Sequence, residues 1–183
     1  MQHIDHGFVL ALMLFSVSLA CAQAEGKAKP EEAGESVKSV PGFSYLREES
    51  FSLGGQTHTV KVYRCEAFAQ ALGLSAGQTD VACEFVQVPA GTFLMGSPAG
   101  EAERMDSEGP QHRVRLKSFL IARTEVTQKV WRGVMSSSPS KFNGDRRPVE
   151  QVSWDDCQEF CQKTGFRLPS EAEWEYACRA GAT

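Results

Sequence analysis

The sequence predicts an α+β fold built from short elements, because short alternating apolar stretches indicate strands and three N-capping signals indicate helices. A hairpin is expected from Phe51 to Tyr63 around Gly54-Gly55, since glycine pairs favour two-residue turns. A short helical segment is expected from Glu66 to Leu74. Further strands are expected at 84–88, 92–95, 112–116 and 119–121.

Each of the three later helices begins with a side chain that can cap it. Thr127 precedes an apolar face formed by Val130, Trp131 and Val134. Ser153 precedes two acidic residues, which the helix dipole favours in a first turn. Ser170 and Glu173 have the spacing of a capping box. The sequence therefore predicts helices that start at 128, 154 and 171.

The composition is that of a globular protein that does not bind nucleic acid. Of its 183 residues, 42% are hydrophobic and 23% are charged, and the formal net charge is −4. The largest basic cluster is a pair such as Arg146-Arg147, so the chain has no basic footprint for a polyanion.

The N-terminal region predicts an exported protein. Residues 7–22 carry no charge and end in Ala20-Cys21-Ala22, which fits a secretory cleavage site, so residues 1–22 are interpreted as a signal peptide. The run is too short for a permanent membrane span. An uncleaved anchor or a cytosolic protein is the alternative, since residues 1–6 lack Lys and Arg. Residues 18–21 weakly resemble a lipoprotein cleavage box, so a lipid anchor on Cys21 is a further alternative. With or without that anchor, the export signal predicts a secreted or periplasmic protein. Residues 23–41 are polar and are expected to form a disordered linker.

Five cysteines follow the predicted signal, and an odd number suggests one without a partner inside this sequence. Cys65 and Cys83 flank the short helix and are expected to form a disulfide, which would stabilise the chain by about 3 kcal/mol. Cys157 and Cys161 share one helix face. Metal binding or redox exchange is one interpretation of that pair; packing, or pairing with distant cysteines, is favoured because zinc-finger spacing is absent.

Two groups of carboxylates are also candidates for chemistry. Glu101, Glu103, Asp106 and Glu108 could bind calcium, but their spacing is not that of a calcium loop, so a solvated loop is favoured. Glu171, Glu173 and Glu175 could serve acid–base catalysis, but their place in a first helical turn favours capping and ion pairing.

Five sequence blocks resemble one family in the correct order. FVQVPAGTFLMGS at 85–97 resembles the opening of the formylglycine-generating, or sulfatase-modifying-factor, domain. The following blocks are EGPQHRV at 108–114, EVTQ at 125–128, PVEQVSWDD at 148–156 and RLPSEAEWEYA at 167–177. The resemblance thus covers residues 84–183, and residues 42–83 form a hairpin–helix segment of unknown family.

The resemblance implies a C-type-lectin-like fold with much irregular structure, of which this chain contains the first half. It also implies copper-dependent oxidation of a sulfatase cysteine to formylglycine by dioxygen. The implied copper ligands and calcium sites lie later in the domain, so no catalytic, cofactor or metal residue is assigned here and the chain alone is expected to be inactive. Cys161 and Cys178 resemble cysteines that bridge to that later part. The alternative is a non-catalytic module that binds a ligand or protein on the same scaffold.

Overall fold

A computed structural model describes residues 20–21, 40–53 and 55–180 of the chain. Most of the predicted signal peptide (1–22) and linker (23–41) lies outside these residues, as do Gly54 and residues 181–183. The side chain of Cys21, the alternative lipidation site, is also outside the described part. No helix in the described ranges is long and apolar enough to cross a membrane.

Among the described residues, seven strands form two antiparallel sheets. The larger sheet has the order β1-β7-β4-β3-β2, and β5 pairs with β6 in the smaller one. The strands are Ala20–Cys21 (β1), Phe43–Leu53 (β2), Gln56–Cys65 (β3), Glu84–Val88 (β4), Gly91–Met95 (β5), His112–Leu116 (β6) and Phe119–Ala122 (β7). The strands predicted at 112–116 and 119–121 therefore follow each other in sequence but belong to different sheets.

The predicted hairpin is confirmed and is longer than the sequence pattern indicated. Leu53 pairs with Gln56, which leaves a two-residue turn at 54–55. Gly55 has a φ of +79°, a conformation that glycine adopts without a steric cost. Pairing continues back to Phe43 and Cys65 and passes an irregularity between Tyr45 and Arg47, where the register shifts.

Four α-helices accompany the sheets in the described part of the chain, and the three predicted caps are confirmed. The helices are Glu66–Ala71 (α1), Gln128–Met135 (α2), Trp154–Thr164 (α3) and Glu171–Arg179 (α4). Thr127, Ser153 and Ser170 each accept a hydrogen bond from the backbone N–H three residues later. α1 ends three residues before the predicted Leu74, because Gly73 adopts a left-handed conformation with φ +74°.

One aromatic core joins the hairpin segment to the rest of the chain. The ring of Phe85 on β4 contacts those of Phe43 on β2 and Phe68 on α1, at centroid distances of 5.1 and 5.4 Å. Phe160 on α3 lies 5.9 Å from Phe68 and stacks on Trp131 of α2 at 5.1 Å. Such contacts add to the free energy gained from apolar burial. Residues 42–83 thus share both a sheet and a core with the residues that follow them.

The structure contains no disulfide among Cys65, Cys83, Cys157, Cys161 and Cys178. The bridge expected between Cys65 and Cys83 is therefore not formed in it. The Cys83 thiol instead donates a hydrogen bond to the backbone carbonyl of Asp80 at 3.0 Å. Both Cys65 and Cys83 are buried in the core. The Cys65–Cys83 bridge stays a prediction.

Candidate functional site

Cys157 and Cys161 lie on the buried face of α3, on either side of Phe160 in sequence, and pack into the core. Burial raises the pKa of both thiols, that of Cys161 to about 11, with the neighbouring Cys157 as a smaller cause. Thiols with raised pKa values remain protonated at neutral pH and are weak metal ligands and nucleophiles. The packing interpretation of this pair agrees with the structure.

The carboxylates of α4 cap the helix and form ion pairs. Glu173 accepts hydrogen bonds from the backbone N–H of Ser170 at 2.8 Å and from the Arg167 guanidinium at 2.6 and 2.5 Å. Glu175 accepts from the backbone N–H of Gly96 at 3.0 Å and from Arg179. The predicted structural role is thus confirmed for Glu173 and Glu175. Glu171 is exposed to solvent.

The acidic loop and the histidines make local contacts in the described structure. Glu108 accepts a hydrogen bond from the Ser97 hydroxyl at 2.7 Å and from the backbone N–H of Met105 at 3.3 Å. His58 stacks on Phe51 in the hairpin, and the His112 ring nitrogen lies 3.1 Å from the Pro110 carbonyl oxygen. Within the described ranges, no group of three or more His, Cys, Asp or Glu side chains could hold a metal ion.

A four-residue ion-pair network links three strands, and the sequence analysis did not identify it. Glu84 at the start of β4 accepts hydrogen bonds from Arg47 on β2, at 2.8 and 3.0 Å, and from Arg123, which follows β7, at 2.8 Å. Glu49 accepts from the same two arginines. Hydrogen bonds from Arg47 and Arg123 hold the pKa of Glu84 below its ordinary value, although burial opposes this shift. The sequence signal that could have indicated an ion pair was the alternation of Arg47 and Glu49 along β2.

An open cleft borders the larger sheet, and another lies beside the 3₁₀ turn Val81–Cys83 and the start of α2. One, of about 390 Å³, lies between the sheet and α4 and is lined mainly by apolar side chains, including Phe51, Val88 and Tyr176. The other, of about 500 Å³, is lined by charges of both signs, including Asp80, Lys129 and Arg146. Neither cleft is lined by Cys157, Cys161 or Cys178.

Comparison with known proteins places these features in a family. Residues 73–183 match the model of the "Sulfatase-modifying factor enzyme 1-like domain". The chain belongs to this family. Its mixed α/β structure with antiparallel sheets is consistent with the family's C-type-lectin-like fold. The match begins inside the segment 42–83, so the family domain includes the 3₁₀ turn before β4 but not the hairpin.

Several known proteins are similar to this member of the family. The chaperone protein LppX of Paenibacillus barcinonensis is 31% identical, over 62% of this chain and 52% of its own length. The formylglycine-generating enzyme of Mus musculus is 26% identical, over 94% of this chain and 59% of its own. The structure of PvdO from Pseudomonas aeruginosa is 32% identical, with a TM-score of 0.49, over 55% of this chain and 49% of that one. The chain thus spans about half the length of the relatives it matches.

The copper implied by the family resemblance does not fit the thiols that the structure describes. Cys157 and Cys161 are buried beside aromatic rings, and burial raises the pKa values of their thiols. A cysteine that binds copper needs a lowered thiol pKa instead, because the thiolate is the ligand. Cys178 lies on α4 and is exposed, and its pKa is raised as well. No catalytic step is therefore assigned to these cysteines.

Proposed function

We propose that this chain is the scaffold part of an exported formylglycine-generating-type protein. In the complete protein, the reaction would be the oxidation of a cysteine in a protein substrate to formylglycine. The family match over residues 73–183 supports this proposal. These 183 residues by themselves would not catalyse the reaction, because the described cysteines are packed into the core or lie outside any metal-binding group.

The copper pair and the calcium sites would come from later residues of the complete domain, as the family resemblance implies. The residues described here would supply the sheet, the capped helices and the Glu173 and Glu175 contacts that hold α4 in place. The protein partner would be a sulfatase or another exported protein. Secretion or a periplasmic location would follow from the signal predicted at 1–22.

The first test is an activity assay on the 183-residue chain. Purified chain would be incubated with a cysteine-containing sulfatase-motif peptide, with and without added Cu(II), and the aldehyde product would be detected by mass spectrometry. We expect no aldehyde above the protein-free control. Aldehyde formation that depends on the chain would contradict the proposal, and substitutions of Cys157, Cys161 and Cys178 would then locate the site.

A non-catalytic binding module is the second candidate, because the relative with 31% identity is named as a chaperone rather than an oxidase. The cleft of about 390 Å³ beside α4 offers an apolar surface for such a role. Sequencing the gene beyond the codon for Thr183 separates the two candidates. A continuing reading frame with a late cysteine pair would favour the oxidase, and one without such a pair would favour the binding module.

A further inference from the structure

Cys65 and Cys83 lie one position beyond the last paired residues of β3 and β4, where the hairpin meets the family domain. β3 and β4 are antiparallel, with Tyr63 opposite Phe85 and Arg64 opposite Glu84. Extension of this register by one position would set Cys65, the last residue of β3, opposite Cys83, the last residue of the 3₁₀ turn Val81–Cys83 that precedes β4. Facing residues of an antiparallel pair have Cα atoms about 4.5–5.5 Å apart. Disulfides span this range of Cα separations.

By the same extension, the two cysteine side chains are expected on the same side of the sheet. Side chains two residues apart on a strand share a face, and Tyr63 and Phe85 are both in the core. Cys65 and Cys83 therefore belong to the core face, in agreement with their exposed fractions of 1% and 0%. Cys157 and Cys161 lie on α3, and Cys178 lies on α4. The register thus gives only the Cys65–Cys83 pair a facing arrangement within the described strands.

We propose that Cys65 and Cys83 form a disulfide that links the hairpin covalently to the family domain. The two thiols lose two protons and two electrons to form the S–S bond, and an oxidised disulfide, of a small-molecule thiol or a thiol oxidoreductase, is reduced to two thiols. Because both sulfurs are buried once the core is formed, the bond forms before the pairing of β3 with β4 is complete. This inference is independent of the proposed oxidase function.

Peptide mapping of the full chain tests the link directly. The chain would be folded with oxidised and reduced glutathione, alkylated under denaturing conditions, and cleaved with a Glu-specific protease. Trypsin leaves both cysteines in one peptide, whereas cleavage after Glu49, Glu66 and Glu84 separates them into peptides 50–66 and 67–84. We expect these two peptides to be joined until a reductant is added. Alkylation of both cysteines, or a link from either one to another cysteine, would overturn the proposal.

Thermal unfolding distinguishes a Cys65–Cys83 disulfide from two packed thiols. Both sulfurs are buried, so the wild-type chain would be reduced in denaturant and refolded with reductant, and we expect its Tm to be lower than that of the oxidised chain by about 5–10 °C. Cys65→Ser and Cys83→Ser would each remove this response to reductant, and the double variant would be no less stable than the weaker single variant. Cys178→Ser is the control and would keep the response. If the core variants fail to fold, an equal Tm for the oxidised wild-type chain and the chain reduced in denaturant and refolded would still refute the disulfide.

Discussion

Glu173 is a largely buried carboxylate whose hydrogen-bond donors outweigh the effect of burial on its charged form. Its side chain is 11% exposed, and it accepts hydrogen bonds from Arg167 and from the backbone and hydroxyl of Ser170. Burial alone would raise the pKa of Glu173, but the hydrogen bonds and the Arg167 charge outweigh burial and lower it. The charged form is therefore the one that the folded state stabilises.

Replacement of Glu173 by Gln is expected to lower the free energy of unfolding by about 2–3 kcal/mol. The amide is isosteric with the carboxylate but carries no charge for Arg167, and hydrogen bonds to charged groups contribute more than neutral ones. Urea unfolding at neutral pH measures the change. Glu171→Gln is the matched control in the same helical turn, and because Glu171 is exposed its effect should be within about 0.5 kcal/mol. Equal effects of the two substitutions would contradict this account.

The lowered pKa of Glu173 also predicts how the free energy of unfolding depends on pH. Since the pKa of Glu173 is lowered in the folded state, its contribution is complete above the ordinary value of 4.5 and is lost as the pH falls through the folded-state pKa. The wild-type chain should therefore lose stability more steeply than Glu173→Gln as the pH is lowered from about 5. Denaturation midpoints at several acidic pH values measure both slopes, and parallel slopes would rule out the assigned role of Glu173.

At the scale of elements, the contact between α1 and α2 depends on Gly133. A Cβ atom at this position would lie 2.4 Å from the carbonyl oxygen of Ala71, the last residue of α1. Alanine in place of a helical glycine ordinarily stabilises a helix by about 1 kcal/mol. Overlap with a backbone atom requires the two helices to separate, which typically costs about 1–3 kcal/mol. The steric cost is therefore the larger of the two effects.

Gly133→Ala is accordingly expected to destabilise the chain by about 1–2 kcal/mol, despite the better helix propensity of alanine. Gly100→Ala provides the control, since a Cβ atom at position 100 meets no atom within 4 Å. Chemical denaturation of both variants gives the comparison. A stabilised Gly133→Ala variant would show that α1 and α2 can separate at little cost.

The ion-pair network around Glu84 holds the hairpin strand β2 near β4 and β7. Glu84 is 8% exposed, whereas Arg47 and Arg123 are 41% and 35% exposed, so both arginines can regain contacts with water if the carboxylate is removed. Glu84→Gln should therefore cost only about 1–2 kcal/mol, with faster amide hydrogen exchange in β3 and β4. Glu48→Gln is the control, at an exposed position on β2 between Arg47 and Glu49. Unchanged amide hydrogen exchange in Glu84→Gln would show that the network does not hold these strands together.

Local signals in the sequence predicted individual elements, but not how they assemble. The caps at Thr127, Ser153 and Ser170 were predictable because each uses a side chain and a backbone group only three residues apart. The Glu84 network joins residues up to 74 positions apart, and no local pattern specifies that contact. The separation of β6 from β7 into different sheets likewise depends on strand pairing at long range.

At the scale of the whole molecule, the hairpin completes the family domain rather than standing beside it. The family match starts at residue 73, yet β2 and β3 form one side of the larger sheet. Phe43, Tyr63 and Phe68 belong to the same buried cluster as Phe85 and contribute much of its apolar content. The sequence indicated a separate segment of unknown family at 42–83, because composition alone does not show which residues share a core.

Removal of residues 1–72 should therefore abolish cooperative folding, although the family match is kept whole. Complete burial of an aromatic or large aliphatic side chain contributes about 1.5–3 kcal/mol. The loss of Phe43, Tyr63 and Phe68 would then approach the whole stability of a typical domain, about 5–15 kcal/mol. Removal of residues 1–39 is the control, because it keeps the hairpin and α1 and deletes only the two-residue strand β1 from the described elements. Thermal and urea unfolding of the two shortened chains should show a cooperative transition for the control alone. A cooperative transition in the chain that begins at residue 73 would mean that the family domain can form its core without the hairpin.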